Sequence, residues 1–198
     1  RELYAWLAGI VPEGIVAWDC ATGNGQAAIA LADHFEKVIA TDASEAQQLA
    51  AQPHPKICYR CAPAESAPIE DETIDLITVA QVLHWFNVEA FYQEAHRVLR
   101  PDGVLAVWCY GWTSVSPEID PLVKTFATET VGPYWPEDRR HIEAGYEALP
   151  FPFKRGSLAE SLKRPNSTLA YIPRIWSACA PPQLWKITLG SQSSRSPA

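Results

Sequence analysis

The stretch Ile15-Val16-Ala17-Trp18-Asp19-Cys20-Ala21-Thr22-Gly23-Asn24-Gly25-Gln26 decides the fold. A short apolar run ends in an acid, the chain then turns through small residues that include two glycines, and a run of helix formers follows at 27–32. This order predicts a strand, a glycine-containing turn and a helix, which open a nucleotide-binding βαβ unit. Glycines suit such a turn because it is tight and because a ligand must come close to bare backbone. The free amides at the start of the helix then face that ligand.

Two classes of ligand use such a turn. Residues 23–28 fit the dinucleotide pattern G-x-G-x-x-A, which keeps a dinucleotide open. Asp19 argues against it, because a carboxylate at the end of the strand would crowd an anionic pyrophosphate and suits a cationic or amine-bearing ligand. A second predicted strand, 37–42, ends in Asp42, which is placed to accept hydrogen bonds from ribose hydroxyls. Adenosine with a positively charged amino-acid tail describes S-adenosylmethionine.

The remaining pattern alternates strands and helices. Residues 74–80 are an almost continuous apolar run, which is typical of a strand covered on both faces. We predict further strands at 56–61 and 104–110, and helices at 2–8, 27–35, 44–51 and 89–100. The alternation predicts an α/β fold with a doubly wound, mostly parallel, Rossmann-like sheet and helices on both of its faces.

The composition of the chain changes after residue 111. Proline and aromatic residues crowd a region without clean periodicity, in which 119–131 is the one predicted helix. We predict a single domain over 1–198, with a cofactor-binding core at 1–111 and an aromatic and proline-rich insertion on the substrate side at 112–178. A closing strand, at 184–189, and a disordered tail, at 191–198, are predicted within 179–198.

Composition also limits the class of partner. A chain of 198 residues that is 47% hydrophobic has room for one full core, and its net charge of −7 argues against a nucleic-acid backbone as the main partner. No apolar run reaches the roughly 18 residues of a membrane span. No signal peptide is visible, so we expect a cytoplasmic protein. The chain starts at Arg1 and contains no methionine, so we expect it to be part of a longer protein.

The five cysteines do not indicate a metal site. Cys58 and Cys61 form a C-x-x-C, but no second cysteine or histidine pair follows at the spacing of a zinc site. In an extended strand, residues three apart point to opposite faces. We therefore expect buried, reduced thiols and no bound metal.

Two motifs carry a resemblance to a known family. Asp-x-x-x-Gly-x-Gly at 19–25, followed by Val-Ile-Ala-Thr-Asp-Ala-Ser at 38–44, resembles motifs I and II of class I S-adenosylmethionine-dependent methyltransferases. Ala21 stands where the usual turn has its first glycine, and a residue with a side chain is tolerated there without strain only if its φ stays negative. The resemblance covers residues 1–178 and is greatest for the small-molecule branch, the methyltransferase type 11 group that includes trans-aconitate methyltransferase-like proteins. The later stretches that carry it lie at 64–68, 73–81, 84–86 and 97–103.

The resemblance implies a site for S-adenosyl-L-methionine. Asp19 is expected to meet the cofactor's ammonium, directly or through water, although it could instead satisfy backbone donors at the helix start. Asp42 is expected to bind the ribose hydroxyls. Ala64 and Glu65 are expected at the amino edge of adenine, although Glu65 could be an ordinary exposed acid and the glycines could serve turn geometry alone. The implied cofactor-binding residues are Asp19, Ala21, Gly23, Asn24, Gly25, Asp42, Ala43, Ala64, Glu65, Ala80 and Gln81.

The acceptor side is predicted from residues that follow the fourth strand and from the insertion. His84 is the candidate catalytic residue, as a general base or as a hydrogen-bonding partner of the acceptor, with a purely structural histidine as the alternative. An electron-rich ring attracts a sulfonium by cation–π interaction, so we expect Trp85 to form a pocket wall. Residues 139–141, Arg-Arg-His, could receive an acceptor carboxylate or form a solvated charge cluster. The predicted substrate pocket comprises Trp85, Tyr134, Trp135, Tyr146 and Trp176, each of which could instead belong to the core.

We therefore expect methyl transfer from S-adenosyl-L-methionine to a small organic acceptor by in-line displacement. Orientation and desolvation supply most of the acceleration of such a reaction, and it needs no metal. One alternative is an NAD(P)-binding oxidoreductase, which G-x-G-x-x-A favours and which Asp19 and the lack of a Tyr-x-x-x-Lys pair oppose. The other is a non-catalytic protein that binds the same cofactor, an alternative motivated by the irregular C-terminal third. No motif encodes the acceptor atom or the oligomeric state.

Overall fold

One mixed sheet organises the computed structural model, which describes residues 2–11, 14–110, 115–156 and 185–191. Its strands are β1 (Val16–Cys20), β2 (Lys37–Asp42), β3 (Ile57–Cys61), β4 (Ile74–Ala80), β5 (Leu99–Tyr110), β6 (Lys154–Gly156) and β7 (Trp185–Ser191). Their spatial order is β3-β2-β1-β4-β5-β7-β6. Strands β1 to β5 run parallel, whereas β7 runs antiparallel to both β5 and β6. This confirms the predicted doubly wound, mostly parallel sheet, whose strand order reverses between β1 and β4.

Helices cover both faces of this sheet. They are α1 (Glu2–Ile10), α2 (Gln26–Ala32), α3 (Glu45–Leu49), α4 (Val88–Val98), α5 (Asp120–Thr125) and α6 (Arg139–Glu143). Because side chains alternate across a strand, Ala17 and Leu76 pack with α1 and α2 on one face. Trp18 and Ile77, their neighbours in sequence, pack with α4 on the other face. The two apolar layers on either side of β1 and β4 confirm the predicted architecture.

Asp75 joins three strands at the amino end of the parallel sheet. Its side chain is 3% exposed, and its Oδ2 accepts hydrogen bonds from the amides of Ile15 at 2.9 Å and Val16 at 2.7 Å. Arg100 Nη1 donates to Asp75 Oδ1 at 3.0 Å. A buried carboxylate is tolerated when it is paired and hydrogen-bonded in this way. The pair links β1, β4 and β5 at the edge opposite to the carboxyl ends of the strands.

The predicted helix at 89–100 is wrong at its C-terminal end. Helix α4 ends at Val98, and Leu99 is already extended, with φ −69° and ψ 134°. Leu99 pairs with Ile74 at the start of β4. Leu99 and Arg100, which the local pattern assigned to the helix, therefore belong to β5 because of a long-range contact within the sheet.

The region 115–156 is less regular than the sheet. The predicted helix at 119–131 is present as α5, which continues as a π-helical turn at Phe126–Thr130. A 3₁₀ turn at Gly132–Tyr134 and α6 follow. Several apolar side chains of this region are exposed, among them Ile119, Leu122, Val123, Phe126 and Tyr134. The division of the domain at 111 and 178 remains a prediction.

The predicted closing strand at 184–189 corresponds to β7, which spans Trp185–Ser191. Ser191, predicted as the first residue of a disordered tail, pairs with Val104 and belongs to the sheet. That part of the prediction is wrong because antiparallel pairing with β5 continues beyond the apolar run. Residues 192–198 lie outside the described part of the chain.

Four cysteines lie in the described residues, and all four are free thiols: Cys20, Cys58, Cys61 and Cys109. Cys20 and Cys109 are buried as expected, whereas Cys61 is exposed at the end of β3, an edge strand, so the expectation is wrong there. Cys179 lies outside the described residues. Where the structure describes the chain, it contains no helix long and apolar enough to cross a membrane. The same residues contain no group of three or more His, Cys, Asp or Glu side chains that could hold a metal ion.

Candidate functional site

A pocket lies at the carboxyl ends of β3, β2, β1 and β4, which are neighbours in the sheet. Its volume is about 570 Å³, within the roughly 300–1,000 Å³ of small-molecule sites. Ligands of open parallel sheets bind at this edge, next to the point where the strand order reverses. The pocket is lined by Ala21, Gly23, Asn24, Asp42, Ala43, Ser44, Gln47, Ala62, Pro63, Ala64, Glu65, Val82, Trp85 and Phe86.

Most of the predicted cofactor residues line this pocket. The structure brings together the turn after β1, the end of β2 and the loop after β3, as expected for a site built at strand ends. The cofactor contacts themselves remain predictions. The predicted residues in the lining are Ala21, Gly23, Asn24, Asp42, Ala43, Ala64 and Glu65, whereas Asp19, Gly25, Ala80 and Gln81 lie outside it.

The turn after β1 contains three left-handed residues. The φ angles of Ala21, Gly23 and Gly25 are 54°, 58° and 87°. A Cβ on Gly23 would meet only Gln47 Oε1, at 3.8 Å, so bare backbone faces the pocket there. A Cβ on Gly25 would collide with the ring of Tyr59. Gly25 is therefore explained by its φ and by packing, whereas Gly23 also leaves room for a ligand.

The condition of a negative φ at Ala21 is not met, since its φ is 54°. Two backbone hydrogen bonds hold the turn, from the amide of Thr22 to Thr41 O at 2.9 Å and from the amide of Gly25 to Thr22 O at 3.0 Å. The chain keeps the left-handed conformation of the usual glycine although a side chain is present. A non-glycine residue in this region is strained by about 1–2 kcal/mol.

Asp42 fixes the turn and faces the pocket at the same time. Its Oδ2 accepts a hydrogen bond from the amide of Gly23 at 2.8 Å, and its Oδ1 accepts one from the amide of Ser44 at 2.8 Å. A carboxylate oxygen has two lone pairs, so each oxygen retains one for a hydroxyl donor. These are the properties that the predicted contact with ribose requires.

Asp19 lies behind the turn rather than in the pocket. Its side chain is 2% exposed, and its oxygens accept hydrogen bonds from the hydroxyls of Thr22 at 2.5 Å and Thr78 at 2.8 Å. Burial raises the pKa of Asp19 to about 6, and the two hydroxyl hydrogen bonds oppose this shift. In this structure, Asp19 is therefore not exposed for direct contact with a ligand ammonium. A contact through water or after a shift of the turn stays a prediction.

Glu65 connects the loop after β3 to α4. Its Oε1 accepts a hydrogen bond from the amide of Asn87 at 2.8 Å, and Asn87 caps α4 by accepting from the amide of Ala90. Ala64, beside it, is buried. Glu65 therefore holds the loop as well as lining the pocket, and its predicted contact with adenine remains a prediction.

Ala80 and Gln81 end β4 outside the pocket lining. Gln81 has a φ of 65°, and its amide donates to Trp108 O in β5 at 2.9 Å. The backbone is thus turned toward β5 at this point, and Val82 is the next residue that lines the pocket. The predicted contact of Ala80 and Gln81 with the cofactor remains a prediction.

His84 and Tyr146, predicted for different roles, form one polar contact. His84 lies in a 3₁₀ turn, Leu83–Trp85, that follows β4, and its Nδ1 is 3.1 Å from Tyr146 Oη. Burial lowers the pKa of His84 and raises the pKa of Tyr146, which favours the neutral form of both groups. Neither lines the pocket, whereas Trp85 does, with 69% of its side chain exposed.

The other predicted acceptor residues lie away from the pocket lining. Tyr134 is 85% exposed. Trp135 donates from Nε1 to Ala127 O at 3.0 Å, and the Arg139 guanidinium lies 3.8 Å from the centroid of its ring. Arg139 Nε is also 3.7 Å from Glu143 Oε1. Trp176 lies outside the described residues. A role of these residues in binding an acceptor remains a prediction.

Six lining residues were not predicted from the sequence. Four of them adjoin predicted site residues, so proximity in sequence could have found them. Gln47 is different, because only the packing of α3 beside β2 brings it to the pocket. The six are Ser44, Gln47, Ala62, Pro63, Val82 and Phe86.

A family model described as a methyltransferase domain matches residues 18–107. This range begins in β1 and ends in β5, so it contains the carboxyl ends of all four strands that form the pocket. Among solved structures, a candidate Type II methyltransferase from Anaeromyxobacter dehalogenans is 41% identical, with a TM-score of 0.74. The match covers 79% of this chain and 67% of that one.

Two curated relatives each match about two thirds of the chain. A candidate methyltransferase of Dictyostelium discoideum is 38% identical over 134 residues, which are 66% of this chain and 51% of the relative. A candidate S-adenosylmethionine-dependent methyltransferase of Saccharomyces cerevisiae is 27% identical over 144 residues, which are 65% of this chain and 48% of the relative. The chain thus spans about half the length of these relatives.

Proposed function

The chain belongs to the class I S-adenosyl-L-methionine-dependent methyltransferase family, and from this premise we propose that it transfers a methyl group from S-adenosyl-L-methionine to a small organic acceptor. The observation that carries the proposal is the pocket at the carboxyl ends of β3, β2, β1 and β4, which has Asp42 after β2 and Glu65 after β3. A small acceptor, the cytoplasm as compartment and the absence of a nucleic-acid partner belong to the proposal. The net charge of −7 supports the last of these.

The residues of the pocket fit the cofactor of this family. Gly23 has no Cβ and leaves its backbone open to a ligand, and Asp42 offers one free lone pair on each carboxylate oxygen. We assign the ribose to Asp42, the base to Ala64 and Glu65, and the amino-acid tail to the turn at 21–24. The volume of about 570 Å³ leaves space for an acceptor beside the cofactor.

S-Adenosyl-L-methionine, when bound, supplies an activated methyl group on a positively charged sulfur. The residues of the chain then have to orient the two reactants and exclude water. Trp85 suits a wall of this site because the face of its ring attracts a cation. Val82 and Phe86, which also line the pocket, add apolar surface on the same side.

We assign His84 to the acceptor. The hydroxyl of Tyr146 stays protonated at neutral pH because its pKa is raised. It can donate a hydrogen bond to His84 Nδ1 across the 3.1 Å contact. The neutral imidazole then carries its proton on Nε2 and offers a donor rather than a base. This tautomer suits an acceptor that needs orientation but no proton abstraction, such as a carboxylate. Trp85, Tyr134, Trp135, Tyr146 and Trp176 remain the proposed acceptor pocket.

Calorimetric titration tests the cofactor part of the proposal. We expect S-adenosyl-L-methionine to bind with a micromolar Kd, and NAD and NADP not to bind. A matched pair of variants locates the site, because each adds one methyl group. Gly23→Ala places it in the pocket and is expected to weaken binding about tenfold. Gly14→Ala places it at a similar φ, 64°, outside the pocket lining, and is expected to leave Kd unchanged.

Transfer of a radiolabelled methyl group tests the catalytic part. The acceptor panel contains carboxylates, phenols, amines and thiols of low molecular weight. Label transferred to one class supports the proposal and names the acceptor atom. Binding of S-adenosyl-L-methionine without transfer to any class would favour a non-catalytic binding protein. Binding of NAD or NADP alone would contradict the proposal and support an oxidoreductase.

A further inference from the structure

The loop between β3 and β4 forms one wall of the pocket, but the sheet does not hold most of it. Its first part, 62–65, lines the pocket. Among the described residues, two hydrogen bonds tie it to the strands, from the amide of Ala62 to Asp42 O of β2 at 3.0 Å and from Arg60 Nη1 of β3 to Pro68 O at 2.7 Å. The other hydrogen bonds of the loop go chiefly to α4.

Arg97 of α4 makes most of these attachments. Its Nη1 donates to Ile69 O at 2.8 Å and to Asp71 Oδ1 at 2.5 Å, and its Nη2 reaches Ala67 O at 3.3 Å. One guanidinium thus binds three residues of the loop. A guanidinium can do this because it presents five N–H donors in a planar fork, which an ammonium does not.

Glu94, one helical turn earlier, holds both the guanidinium and the loop. Its Oε2 accepts from Arg97 Nε at 2.8 Å, and its Oε1 accepts from Arg97 Nη2 at 2.7 Å and from the amide of Ala67 at 2.7 Å. Glu94 is 8% exposed, and Ala67 is 7% exposed. Removing the carboxylate would leave the buried amide of Ala67 without its partner, which is costly.

The other end of α4 holds the same loop next to the pocket. The amide of Asn87, the capping residue of α4, donates to Glu65 Oε1 at 2.8 Å. Hydrogen bonds therefore join the helix to the loop at Glu65 and again at 67–71, on both sides of Ser66. The position of Ala64 and Glu65 in the pocket thus depends on α4 as well as on the strands, which hold the loop at Ala62 and Pro68.

We propose that Glu94 and Arg97 are positioning residues for recognition of the cofactor's base, because they hold residues 62–71 in the place that brings Ala64 and Glu65 to the pocket. The inference rests on the proposed function, since it takes this wall to face adenine. Neither side chain lines the pocket, so both act through the loop.

Asp75 and Arg100 provide a matched control. They form a second buried acid–arginine pair, at 3.0 Å, which holds the amino end of β1. The Asp75–Arg100 pair joins β5 and β4 to β1, whereas the Glu94–Arg97 pair joins α4 to the loop between β3 and β4. Of the two pairs, only Glu94 and Arg97 contact the loop that lines the pocket. Disruption of either pair should lower stability, but only one should change base recognition.

The experiment compares Arg97→Lys with Arg100→Lys. Each variant keeps the positive charge of the side chain but loses the planar set of N–H donors that the guanidinium presents. The probes are S-adenosylhomocysteine and S-inosylhomocysteine, which has hypoxanthine in place of adenine, titrated well below the midpoint of thermal unfolding. For Arg97→Lys we expect Kd for S-adenosylhomocysteine to rise about tenfold, the loss that corresponds to one misplaced hydrogen bond. The preference over S-inosylhomocysteine should fall toward one. Arg100→Lys should keep both the Kd and the preference of the wild type.

Glu94→Gln refines the result, because the amide oxygen can still accept from Ala67 while the charge is lost. We expect it to retain more of the preference than Arg97→Lys. Equal falls in the unfolding midpoint of Arg97→Lys and Arg100→Lys, with wild-type preference in both, would overturn the inference and leave the proposed function standing. Failure of the wild type to bind S-adenosylhomocysteine would overturn both.

Discussion

The two sides of the candidate site are built in different ways. The cofactor side consists of the first residues after parallel strands, and main-chain amides fix it, both by backbone hydrogen bonds of the turn and by two bonds at 2.8 Å to the carboxylate of Asp42. The proposed acceptor side lies largely in 115–156, where the helices are short and Tyr134 is 85% exposed. Side-chain contacts hold that region, for example the 3.1 Å contact between His84 and Tyr146.

The difference teaches where function should respond to mutation. A site made of strand ends is pre-organised, so the loss of one charged acceptor should act directly on cofactor affinity. A site held by isolated side-chain contacts should lose orientation of its substrate while cofactor binding is unchanged. The predictions below test this separation, in order of decreasing effect.

Asp42→Ala should have the largest effect. The variant loses the acceptor proposed for two ribose hydroxyls and the anchor of the Gly23 amide. Hydrogen bonds to a charged acceptor contribute about 1.5–3 kcal/mol each. We therefore expect binding of S-adenosyl-L-methionine to weaken by about 4 kcal/mol, roughly 1,000-fold, in a calorimetric titration. Asp33→Ala removes an exposed acid that caps the far end of α2, and it should bind as the wild type does. Similar affinities for both variants would place the cofactor elsewhere.

Asp19→Asn should come next and should depend on pH. The pKa of Asp19 is raised from 3.8 to about 6 by burial, so the folded state holds this proton more tightly than the unfolded state. The contribution of Asp19 to stability is therefore greatest below pH 4 and is lost as the pH rises through 6. The change corresponds to about 3 kcal/mol at 1.36 kcal/mol per pKa unit. Asparagine does not titrate, so Asp19→Asn should gain about this much relative to the wild type between pH 4 and pH 7.

Urea unfolding of both proteins at the two pH values measures this gain, and contributions of other carboxylates cancel in the difference. The same variant should bind S-adenosyl-L-methionine less well than the wild type at pH 7, because it loses the negative charge behind the turn that we propose attracts the cofactor's ammonium through water. A stability difference that does not change with pH would contradict the raised pKa. Unchanged binding with the expected stability gain would show that Asp19 has a structural role only.

Features of the fold and the site that depend on neighbouring residues can be predicted from the sequence, whereas features that depend on long-range contacts cannot. The order from β1 to α2 and the acid at the end of β2 depend on neighbouring residues, so pattern alone located Gly23 and Asp42 in the pocket. The C-terminal end of α4 depends on the pairing of Leu99 with Ile74, which no local pattern contains. Gln47 enters the pocket for the same kind of reason, through the packing of α3.

Side-chain environment was harder to predict than strand order. The carboxyl group of Asp19 was expected at the ligand, but the hydroxyls of Thr22 and Thr78 enclose it. One of these partners is 59 residues away in sequence. Ala21 shows the reverse case, because a local preference for negative φ was outweighed by the hydrogen bonds of the turn.

Tyr146→Phe should act on the acceptor side alone. The variant keeps the ring and removes the hydroxyl that contacts His84 Nδ1. We expect an unchanged Kd for S-adenosyl-L-methionine and a loss of about 1 kcal/mol in orientation, which is roughly fivefold in kcat/KM for the acceptor found in the panel. Thr128→Val removes a hydroxyl of the same region that donates to Lys124 O and lies outside the proposed acceptor pocket, so it should change neither quantity. An equal loss of cofactor affinity in Tyr146→Phe would mean that the two sides of the site are not separate.

Ala21→Gly should have the smallest effect, and it should be favourable. Glycine adopts the φ of 54° without strain. The gain is reduced by the greater freedom of glycine in the unfolded chain, which leaves about 0.5 kcal/mol of added stability. Glu72 has a φ of 53° on an exposed loop away from the pocket, so Glu72→Gly is the matched control.

Both variants should show similar gains in urea unfolding, but only Ala21→Gly removes a methyl group from the pocket lining and should shift cofactor affinity, by less than about threefold. A loss of stability in Ala21→Gly would contradict the left-handed turn. Tyr146, with a φ of 61°, is strained in the same way on the acceptor side. Its ring and hydroxyl carry the contact with His84, so this strain cannot be relieved without loss of the contact, whereas the strain at Ala21 can.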